Sequence, residues 1–283
     1  MAIYRRFEGE IHLIDNASVD GTAEEACAAG VDGIALTVVR RRVRRPLPEN
    51  RNLGARLSRG DILLFCDSDV IFEDTNFFER LVRDFAAYKP DIVCPLIVDA
   101  DDDRVQSAGF VHYGLGYYFR APFAGASRRE VPPLVFRVDM LHGACFAITR
   151  NAFDRLGGFD ELMTPYNYDE MDLAIRARKS GMSMIADTGI YVRHVGGGTT
   201  GRIKRWLRGY WFVRHMFRSM IRNEGRRAYL MIPVYGLVTT YGAIVGGYGG
   251  PELVLKAASW ALRNRGQPLT VSGASDYEVV CER

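Results

Sequence analysis

The chain has 283 residues, of which 48% are hydrophobic and 25% are charged, and its formal net charge is +3. This length is enough for one large hydrophobic core or two smaller ones, and the composition is that of an ordinary globular enzyme. The small net charge gives no support for nucleic-acid binding, so we predict no nucleic-acid partner.

The first hundred residues alternate strand-like and helix-like segments. Strands are predicted at 10–14, 34–39, 62–65 and 91–98, and helices from Thr22 onward, at 50–59 and at 77–88. This alternation predicts an α/β fold with a mostly parallel sheet flanked by helices. In such sheets ligands bind at the carboxyl ends of the strands, so residues 1–98 are predicted to form a ligand-binding half.

The remaining residues are predicted to form three further regions. Residues 99–200 begin as a loop and continue with a strand at 138–148, helices at 151–156 and 169–180, and a strand at 184–192, forming a second half of the fold. Residues 201–263 are a helical extension, basic and aromatic at first and then apolar from 228 to 251. The polar tail 264–283 is predicted to be mobile.

Two aspartates follow the strongest predicted strand. The apolar run Ile62–Phe65 leads into Asp67 and Asp69, whose side chains point to the same face because strand side chains alternate. Paired carboxylates at the end of a buried strand suit Mg²⁺ or Mn²⁺, which can in turn hold a diphosphate. The competing interpretation is an acidic turn after a strand.

Four segments, in this order, resemble the family 2 glycosyltransferases with the GT-A fold, and most closely their rhamnosyltransferase-like branch. They are 14–22, 50–69, 143–161 and 169–181, with Asp-x-Asp at Asp67-Ser68-Asp69, Gly-Gly-Phe-Asp-Glu at 157–161 and an acidic helix start at Asp169-Glu170. The resemblance implies an inverting enzyme that moves a sugar from a nucleoside-diphosphate sugar to a glycan or lipid-linked acceptor. It further implies a Mn²⁺ or Mg²⁺ cofactor and a role in cell-envelope polysaccharide synthesis. By the same resemblance, residues 1–98 would be the nucleotide-sugar-binding half and residues 99–200 the acceptor-binding and catalytic half.

The same resemblance implies roles for individual residues. Asp67, Asp69 and His194 would bind the metal, and Glu170 would be the general base. Asp169 is a rival for that role because the family commonly has Glu-Asp where this chain has Asp-Glu. The predicted substrate-binding residues are Asp15, Arg51, Asn52, Asp67, Gly158 and Asp160.

Structural interpretations compete with several of these roles. Asp15 could organise an Asx turn with Ser18, Arg51 could lie on a solvated helix face, and His194 could be structural. Gly157 and Gly158 could be a helix C-cap, and the acids at 169–172 could complement a helix N-terminus.

Two features depart from the family pattern. The strand and helix that usually open the fold are not represented, since residues 1–7 supply only the tail of that helix, which predicts weak donor affinity. The basic and apolar segment 202–251 predicts either a membrane-embedded or interfacial hairpin or helices packed on the catalytic domain, and peripheral membrane contact is compatible with both. A truncated, non-catalytic scaffold of a membrane glycan-assembly complex is the alternative function, and a nucleotidyltransferase is a third.

The cysteines bear on the location of the protein. Cys27, Cys66, Cys94, Cys145 and Cys281 are scattered and include no C-x-x-C pair. This pattern argues against a disulfide framework or a zinc knuckle and favours a reducing compartment. We therefore predict a cytoplasmic protein at the inner face of the cell membrane.

Overall fold

The computed structural model of the protein describes residues 9–30, 34–112, 119–196, 203–247, 249–269 and 276–283. The predicted opening segment at 1–7 lies outside the described residues. The strands are β1 (Glu10–Asp15), β2 (Ala35–Arg41), β3 (Ile62–Cys66), β4 (Val70–Ile71), β5 (Ile92–Asp99), β6 (Val105–Ser107), β7 (Val111–His112), β8 (Phe119–Arg120), β9 (Val135–Arg137), β10 (Cys145–Thr149), β11 (Met184–His194) and β12 (Tyr277–Glu282). The α-helices are α1 (Thr22–Ala29), α2 (Leu47–Leu57), α3 (Phe77–Tyr88), α4 (Arg150–Leu156), α5 (Asp169–Lys179), α6 (Arg205–Glu224), α7 (Ala228–Val245) and α8 (Pro251–Arg263).

The larger of two main sheets has the strand order β3-β10-β5-β11-β4, with β6 added to β5 and β9 to β11. Its central strands are apolar on both faces, and β5 is buried from Ile92 to Val98 because helices cover the sheet. The predicted α/β fold with helices flanking the sheet is therefore confirmed.

The pairing within this sheet is more mixed than the sequence predicted. β5 and β11 are parallel, whereas β10 is antiparallel to both β3 and β5. The strand predicted at 138–148 is shorter than expected, because Gly143 and Ala144 form a turn and β10 begins at Cys145, paired with Cys66 at the end of β3. The chain thus enters β10 from the carboxyl end of β3, which makes β10 run antiparallel.

β1 and β2 form a separate, smaller sheet with β12. β1 is parallel to β2, and within the described residues it has no partner on its other edge. β3 likewise pairs with β10 alone. A cleft of about 3350 Å³ is lined by β1, β3, the turn after β3, the start of α5 and parts of α6 to α8.

The helical C-terminal extension packs on the sheet and helices that precede it in the chain. Met216, Phe217 and Met220 of α6 share the main core with Phe153, Phe159 and Leu173, as do Leu253 and Ala257 of α8. The α7 helix contributes few residues to this core, among them Ala228 and Tyr235. The extension is therefore part of the folded body, and α7 lies at its surface.

The end of the chain differs from the predicted mobile tail. β12 pairs antiparallel with β2, and Asp276 binds Arg41 and Arg45 at 2.5 and 2.6 Å. β12 also brings Cys281 to Cys27 of α1, and the two form a disulfide. The expectation of no disulfide was wrong because 254 residues separate the two cysteines, and only the pairing of β12 brings them together. Residues 270–275 of the predicted tail lie outside the described residues.

Candidate functional site

Two acids and one histidine meet at the carboxyl ends of β3 and β11. Asp67 and Asp69 follow β3, and His194 is the last residue of β11. The backbone joins the two strand ends, because Val195 N donates to Asp69 O at 3.0 Å. One ligand atom from each of the three side chains lies within 4.8 Å of the others. The structure therefore brings together the three residues that the sequence predicted as metal ligands.

The histidine is oriented by a side chain that the sequence analysis did not single out. His194 Nδ1 lies 2.8 Å from Gln106 Oε1, while His194 Nε2 faces Asp69 Oδ1 at 3.4 Å. Gln106 Nε2 in turn donates to Asp99 Oδ2 at 3.0 Å, which leaves Oε1 as the acceptor for the histidine. With a proton on Nδ1, the lone pair of Nε2 points toward the two aspartates.

This donor set fits a divalent cation. Two carboxylates and one imidazole supply oxygen and nitrogen donors, which suit Mn²⁺, and the carboxylates alone suit Mg²⁺. All three side chains are half-buried at the cleft wall, so a cation held there would keep open positions toward the cleft.

Arg51 joins this cluster to the acids at the start of α5. Its Nη2 atom donates to Asp67 Oδ1 at 2.9 Å and to Gly143 O at 2.8 Å, and its Nη1 atom donates to Asp169 Oδ2 at 2.9 Å. The neighbouring carboxylates raise the pKa of the Arg51 guanidinium, against the opposing effect of its burial. Arg51 is thus a fixed cation bound between Asp67 and Asp169, with Glu170 nearby. It is not part of a solvated helix face.

The two candidate bases have different surroundings. Asp169 is fully buried and its Oδ2 accepts from Arg51, while no described residue donates a hydrogen bond to its Oδ1. Glu170 lies against Gly143, whose missing side chain leaves space for the carboxylate stem. Burial and the neighbouring Asp169 raise the pKa of Glu170 to about 8, and Arg51 opposes this shift. A carboxylate with such a pKa can exchange a proton near neutral pH.

Asp15 lies at the end of β1 and is buried. Its Oδ1 accepts from Ser18 N at 3.1 Å, and its Oδ2 accepts from Arg40 Nε at 3.2 Å. The Asx-turn interpretation of this residue therefore holds. The next residue, Asn16, is the one that lines the cleft.

Asn52, Gly158 and Asp160 form a structural cluster rather than part of the cleft lining. Asn52 Oδ1 accepts from Phe159 N at 2.8 Å, and a Cβ at Gly158 would stand 2.7 Å from that same oxygen. Asp160 is fully buried, and its carboxylate binds Arg218 at 2.7 Å and Arg222 at 2.6 Å. Among the described residues that line the cleft, none of the three is present.

His142 is a further residue that sequence reasoning missed. It lines the cleft, and its ring lies 5.9 Å from that of His194. Burial, and next the charge of His194, lower the pKa of His142 to about 4, so its ring is neutral at physiological pH. A histidine directly before Gly143 was the available sequence signal, but nothing in the chain around it predicted a place beside the metal ligands.

Comparison with protein families gives the assignment. The model of Glycosyl transferase family 2 matches residues 6–157, which is more than half of the chain. The chain belongs to this family. The match includes Asp67 and Asp69 but ends before Glu170 and His194, so the placement of those two residues comes from the structure. The family predicted from the four motifs is confirmed.

Curated relatives and solved structures agree with the family fold. Polypeptide N-acetylgalactosaminyltransferase 10 of Homo sapiens is 28% identical over 157 residues, which is 53% of this chain and 26% of that protein. A crystal structure of GalNAc-T7 with UDP, GalNAc and Mn²⁺ has a TM-score of 0.58 at 18% identity, covering 75% of this chain and 41% of that one. The mannosyltransferase PcManGT from Pyrobaculum calidifontis, in complex with GDP-Man and Mn²⁺, has a TM-score of 0.54 at 19% identity, covering 92% of this chain and 72% of that one.

The similarity to these proteins concerns the fold and only part of the length of the relatives. At such identities the solved structures show the family fold, the GT-A-like arrangement of sheets and helices. The chain spans about a quarter of the length of the human, rat and mouse relatives that match it.

Proposed function

We propose that the protein is an inverting, metal-dependent glycosyltransferase that moves a sugar from a nucleoside-diphosphate sugar to an acceptor hydroxyl. The observation that carries this proposal is the cluster of Asp67, Asp69 and His194, whose ligand atoms lie within 4.8 Å of one another on the cleft that Glu170 also lines. Family membership supports it, as does the presence of Mn²⁺ with UDP or GDP-Man in the similar solved structures.

Each group has a chemical task in this reaction. A divalent cation held by Asp67, Asp69 and His194 would supply Lewis-acid stabilisation of the departing diphosphate. Glu170 removes the proton from the acceptor hydroxyl as the oxygen attacks the anomeric carbon, which requires the ionised carboxylate. Arg51 holds Asp67 in place, and its positive charge offsets the repulsion between the neighbouring carboxylates of Asp67 and Asp169. No covalent nucleophile is used, so the anomeric configuration inverts.

The remaining predicted substrate contacts can be ranked by their positions. Asp67 and Arg51 are in the cleft, whereas Asp15, Asn52, Gly158 and Asp160 act through neighbours, holding the loop after β1 and the loop 157–161. In this proposal those four support the substrate-binding surfaces without direct contact.

An assay of sugar-nucleotide hydrolysis and transfer tests the function. The panel of donors includes UDP and GDP sugars with Mn²⁺, and the variants are Asp69→Ala and Glu170→Gln. We expect Asp69→Ala to lose Mn²⁺-dependent nucleotide binding, and Glu170→Gln to bind the nucleotide but transfer about a hundredfold more slowly. Nucleotide binding unaffected by Asp69→Ala would contradict the proposal, and binding without any turnover would favour the scaffold alternative.

The proposed function also includes contact between α7 and a membrane, where a lipid-linked acceptor would be located. The helical run Arg205–Val245 contains an 18-residue window that could cross a membrane by length and composition, and 22% of that window is buried. In α7, which has no charged residue, a stripe of large apolar side chains is exposed on one face: Leu230 78%, Val234 59%, Leu237 75%, Tyr241 72% and Ile244 60%. The spacing of three and four residues places them along one side of the helix.

The side of α7 opposite to this stripe packs on the protein, which favours peripheral contact with a membrane over a helix that spans it. Tyr235 and Ala228 pack in the core with residues of α6 and α8, so α7 is fixed to the protein along one face. The exposed Arg226 and Arg227 stand at its N-terminal end, where they suit anionic lipid headgroups. In this proposal α7 lies in the plane of the membrane interface, within the predicted contact segment 202–251. Residues 202 and 248 of that segment lie outside the described residues.

Vesicle flotation tests this contact. We expect the protein to float with vesicles of anionic phospholipid and the double variant Leu230→Glu/Leu237→Glu to remain in solution, because two carboxylates would have to enter the acyl region. Equal flotation of both proteins would contradict the contact. Leu255→Glu, an exposed apolar residue on α8, is the matched control.

A glycan or lipid-linked acceptor, cell-envelope polysaccharide synthesis and the rhamnosyltransferase-like branch remain predictions from the resemblance. The cytoplasmic face of the membrane also remains a prediction, and the Cys27–Cys281 disulfide argues against it, because disulfides persist mainly in oxidising compartments.

A further inference from the structure

Two polar side chains that line the cleft each have a buried donor atom for which the structure shows no hydrogen-bond partner among the described residues. Within the described part of the chain, the hydroxyl of Tyr166 and the Nε atom of Arg208 are both buried without a hydrogen-bond partner. Both residues line the same cleft as Glu170. A buried donor without a partner destabilises a protein, so such groups are usually satisfied by water, an ion or a ligand.

Arg208 is also without a counter-ion. Among the residues that the structure describes, it has no ion pair, in contrast to Arg51, Arg218 and Arg222, each of which binds a carboxylate. The positive charge of Arg208 acts on Tyr166 and opposes the rise in the pKa of that phenol, which burial causes. Trp211, whose ring packs against that of Tyr166, follows Arg208 by three residues on α6, so Arg208 and Tyr166 lie beside the same face of that helix.

The surroundings hold these donors in place. Tyr166 lies in the loop 164–168 that leads directly into Asp169 and Glu170, and its ring packs edge-on against Trp211 of α6 at 5.4 Å. His215 Nδ1 lies 2.7 Å from Asn167 O, and Leu47 N donates to Pro165 O at 2.8 Å. The loop is thus fixed to α6 on one side and to α2 on the other.

We propose that Tyr166 and Arg208, beside Trp211, form a phosphate-binding subsite of the cleft, on the α6 side of Glu170. The guanidinium and the phenol can both donate hydrogen bonds, and a phosphate group offers several acceptor oxygens together with the negative charge that pairs with the guanidinium. Trp211 offers an apolar surface for whatever group adjoins the phosphate. This inference rests on the proposed function for the origin of the ligand, which is either the donor diphosphate or a phosphate on the acceptor.

Calorimetric titration with inorganic pyrophosphate in the absence of metal tests the subsite itself. We expect Arg208→Gln to weaken binding about tenfold and Tyr166→Phe about fivefold, with Arg208→Lys between wild type and Arg208→Gln. Arg56→Gln removes the same charge from an exposed position on α2 and should leave the affinity unchanged. Thermal unfolding of each variant identifies any loss of folding.

Asp69→Ala separates this inference from the proposed function. That variant should lose Mn²⁺-dependent nucleotide binding and still bind pyrophosphate at least as tightly as wild type. The subsite is overturned if wild type binds no pyrophosphate, or if Arg208→Gln binds it as well as wild type does. If no donor is turned over by any protein and pyrophosphate affinity nevertheless depends on Arg208, the subsite stands and the proposed function fails.

A second pair of titrations distinguishes the two sources of the phosphate. If the donor diphosphate occupies the subsite, Arg208→Gln weakens the binding of UDP or GDP in the presence of Mn²⁺. If the acceptor supplies the phosphate, nucleotide affinity is unchanged and Arg208→Gln binds less tightly than wild type to vesicles that contain polyprenyl phosphate. No change in either titration would contradict the inference.

Discussion

Arg51 donates from Nη2 to Oδ1 of Asp67 at 2.9 Å. The same guanidinium binds Asp169, so one buried cation joins a predicted metal ligand to the acids at the start of α5. The two candidate functions of this cleft, cation binding and proton removal, are therefore mechanically and electrostatically coupled through Arg51.

Replacing Arg51 should damage both folding and chemistry. We expect Arg51→Met to lower the free energy of unfolding by roughly 3–5 kcal/mol, because Asp169 would remain buried without its counter-charge. The pKa of Glu170 should also rise, since Arg51 lowers it in the wild type. Urea denaturation and a pH–rate profile measure the two effects. Arg56→Met, at an exposed position of the same helix, is the control, and equal stability of both variants would contradict the role assigned to Arg51.

The pKa of Glu170 predicts a pH dependence with opposite signs for activity and stability. As the general base, Glu170 is active when ionised, so kcat/KM should rise with pH through about 8. Because its pKa is higher in the folded protein than in the unfolded chain, the protonated Glu170 contributes to the free energy of unfolding. This contribution is complete below the unfolded-state pKa and is lost as the pH rises through about 8.

The variant Glu170→Gln separates these effects. It should be slow at every pH, and above pH 8 it should be more stable than wild type, by at most about 1.4 kcal/mol for each unit between the two pKa values. Thermal unfolding at pH 5 and pH 9 measures this difference. A rate that falls with increasing pH in the wild type would contradict the assignment of the base.

The site could be predicted from sequence where it depends on local pattern. Asp67 and Asp69 follow an apolar run that forms β3, so the pattern of the chain was enough to place these two acids together, whereas His194, which ends β11, was added from the family resemblance. The helix start at Asp169 is likewise local, since Asp169, Glu170 and Asp172 all stand in the first turn of α5. These features could be predicted because each depends on residues that are close together in the chain.

Other features depend on partners that are distant in the chain. Asp160 binds Arg218 and Arg222 of α6, and the motif around Asp160 contains no sign of that pairing. Gln106 orients His194 across 88 residues. The tail strand β12 exists because β2 has a free edge and Cys27 lies nearby, neither of which can be read from residues 264–283. The hydrophobic pattern of the sequence predicts helices and strands, whereas these pairings depend on how the helices and strands are arranged in three dimensions.

The position of Glu170 depends on the absence of a side chain at Gly143. A Cβ on Gly143 would stand 3.0 Å from Cγ of Glu170. We therefore expect Gly143→Ala to displace the carboxylate and to lower kcat by about tenfold, with little change in nucleotide affinity. The control is Gly236→Ala in α7, where the added Cβ would meet Val254 at an ordinary 3.5 Å. Unchanged kcat in Gly143→Ala would show that Glu170 is not held by this contact.

Gln106 should control metal affinity without touching the metal. We expect Gln106→Met to weaken Mn²⁺ binding about 10- to 100-fold, because the Nδ1–H of His194 loses its acceptor and the ring is free to turn. The readout is the dissociation constant of Mn²⁺, measured by electron paramagnetic resonance without substrate. Gln267→Met, at an exposed position, is the matched control, and unchanged Mn²⁺ affinity in Gln106→Met would remove the positioning role.

Asp160 provides the sharpest test between a substrate contact and a structural role. Its carboxylate neutralises the buried Arg218 and also binds Arg222, so Asp160→Asn should lower the free energy of unfolding by roughly 3–5 kcal/mol. The fraction that remains folded at low temperature should keep the donor and acceptor KM of the wild type. The exposed Asp154→Asn, on the preceding helix, controls for the loss of one carboxylate. If Asp160→Asn were as stable as wild type but had a raised acceptor KM, the residue would instead contact the acceptor, as the family resemblance implied.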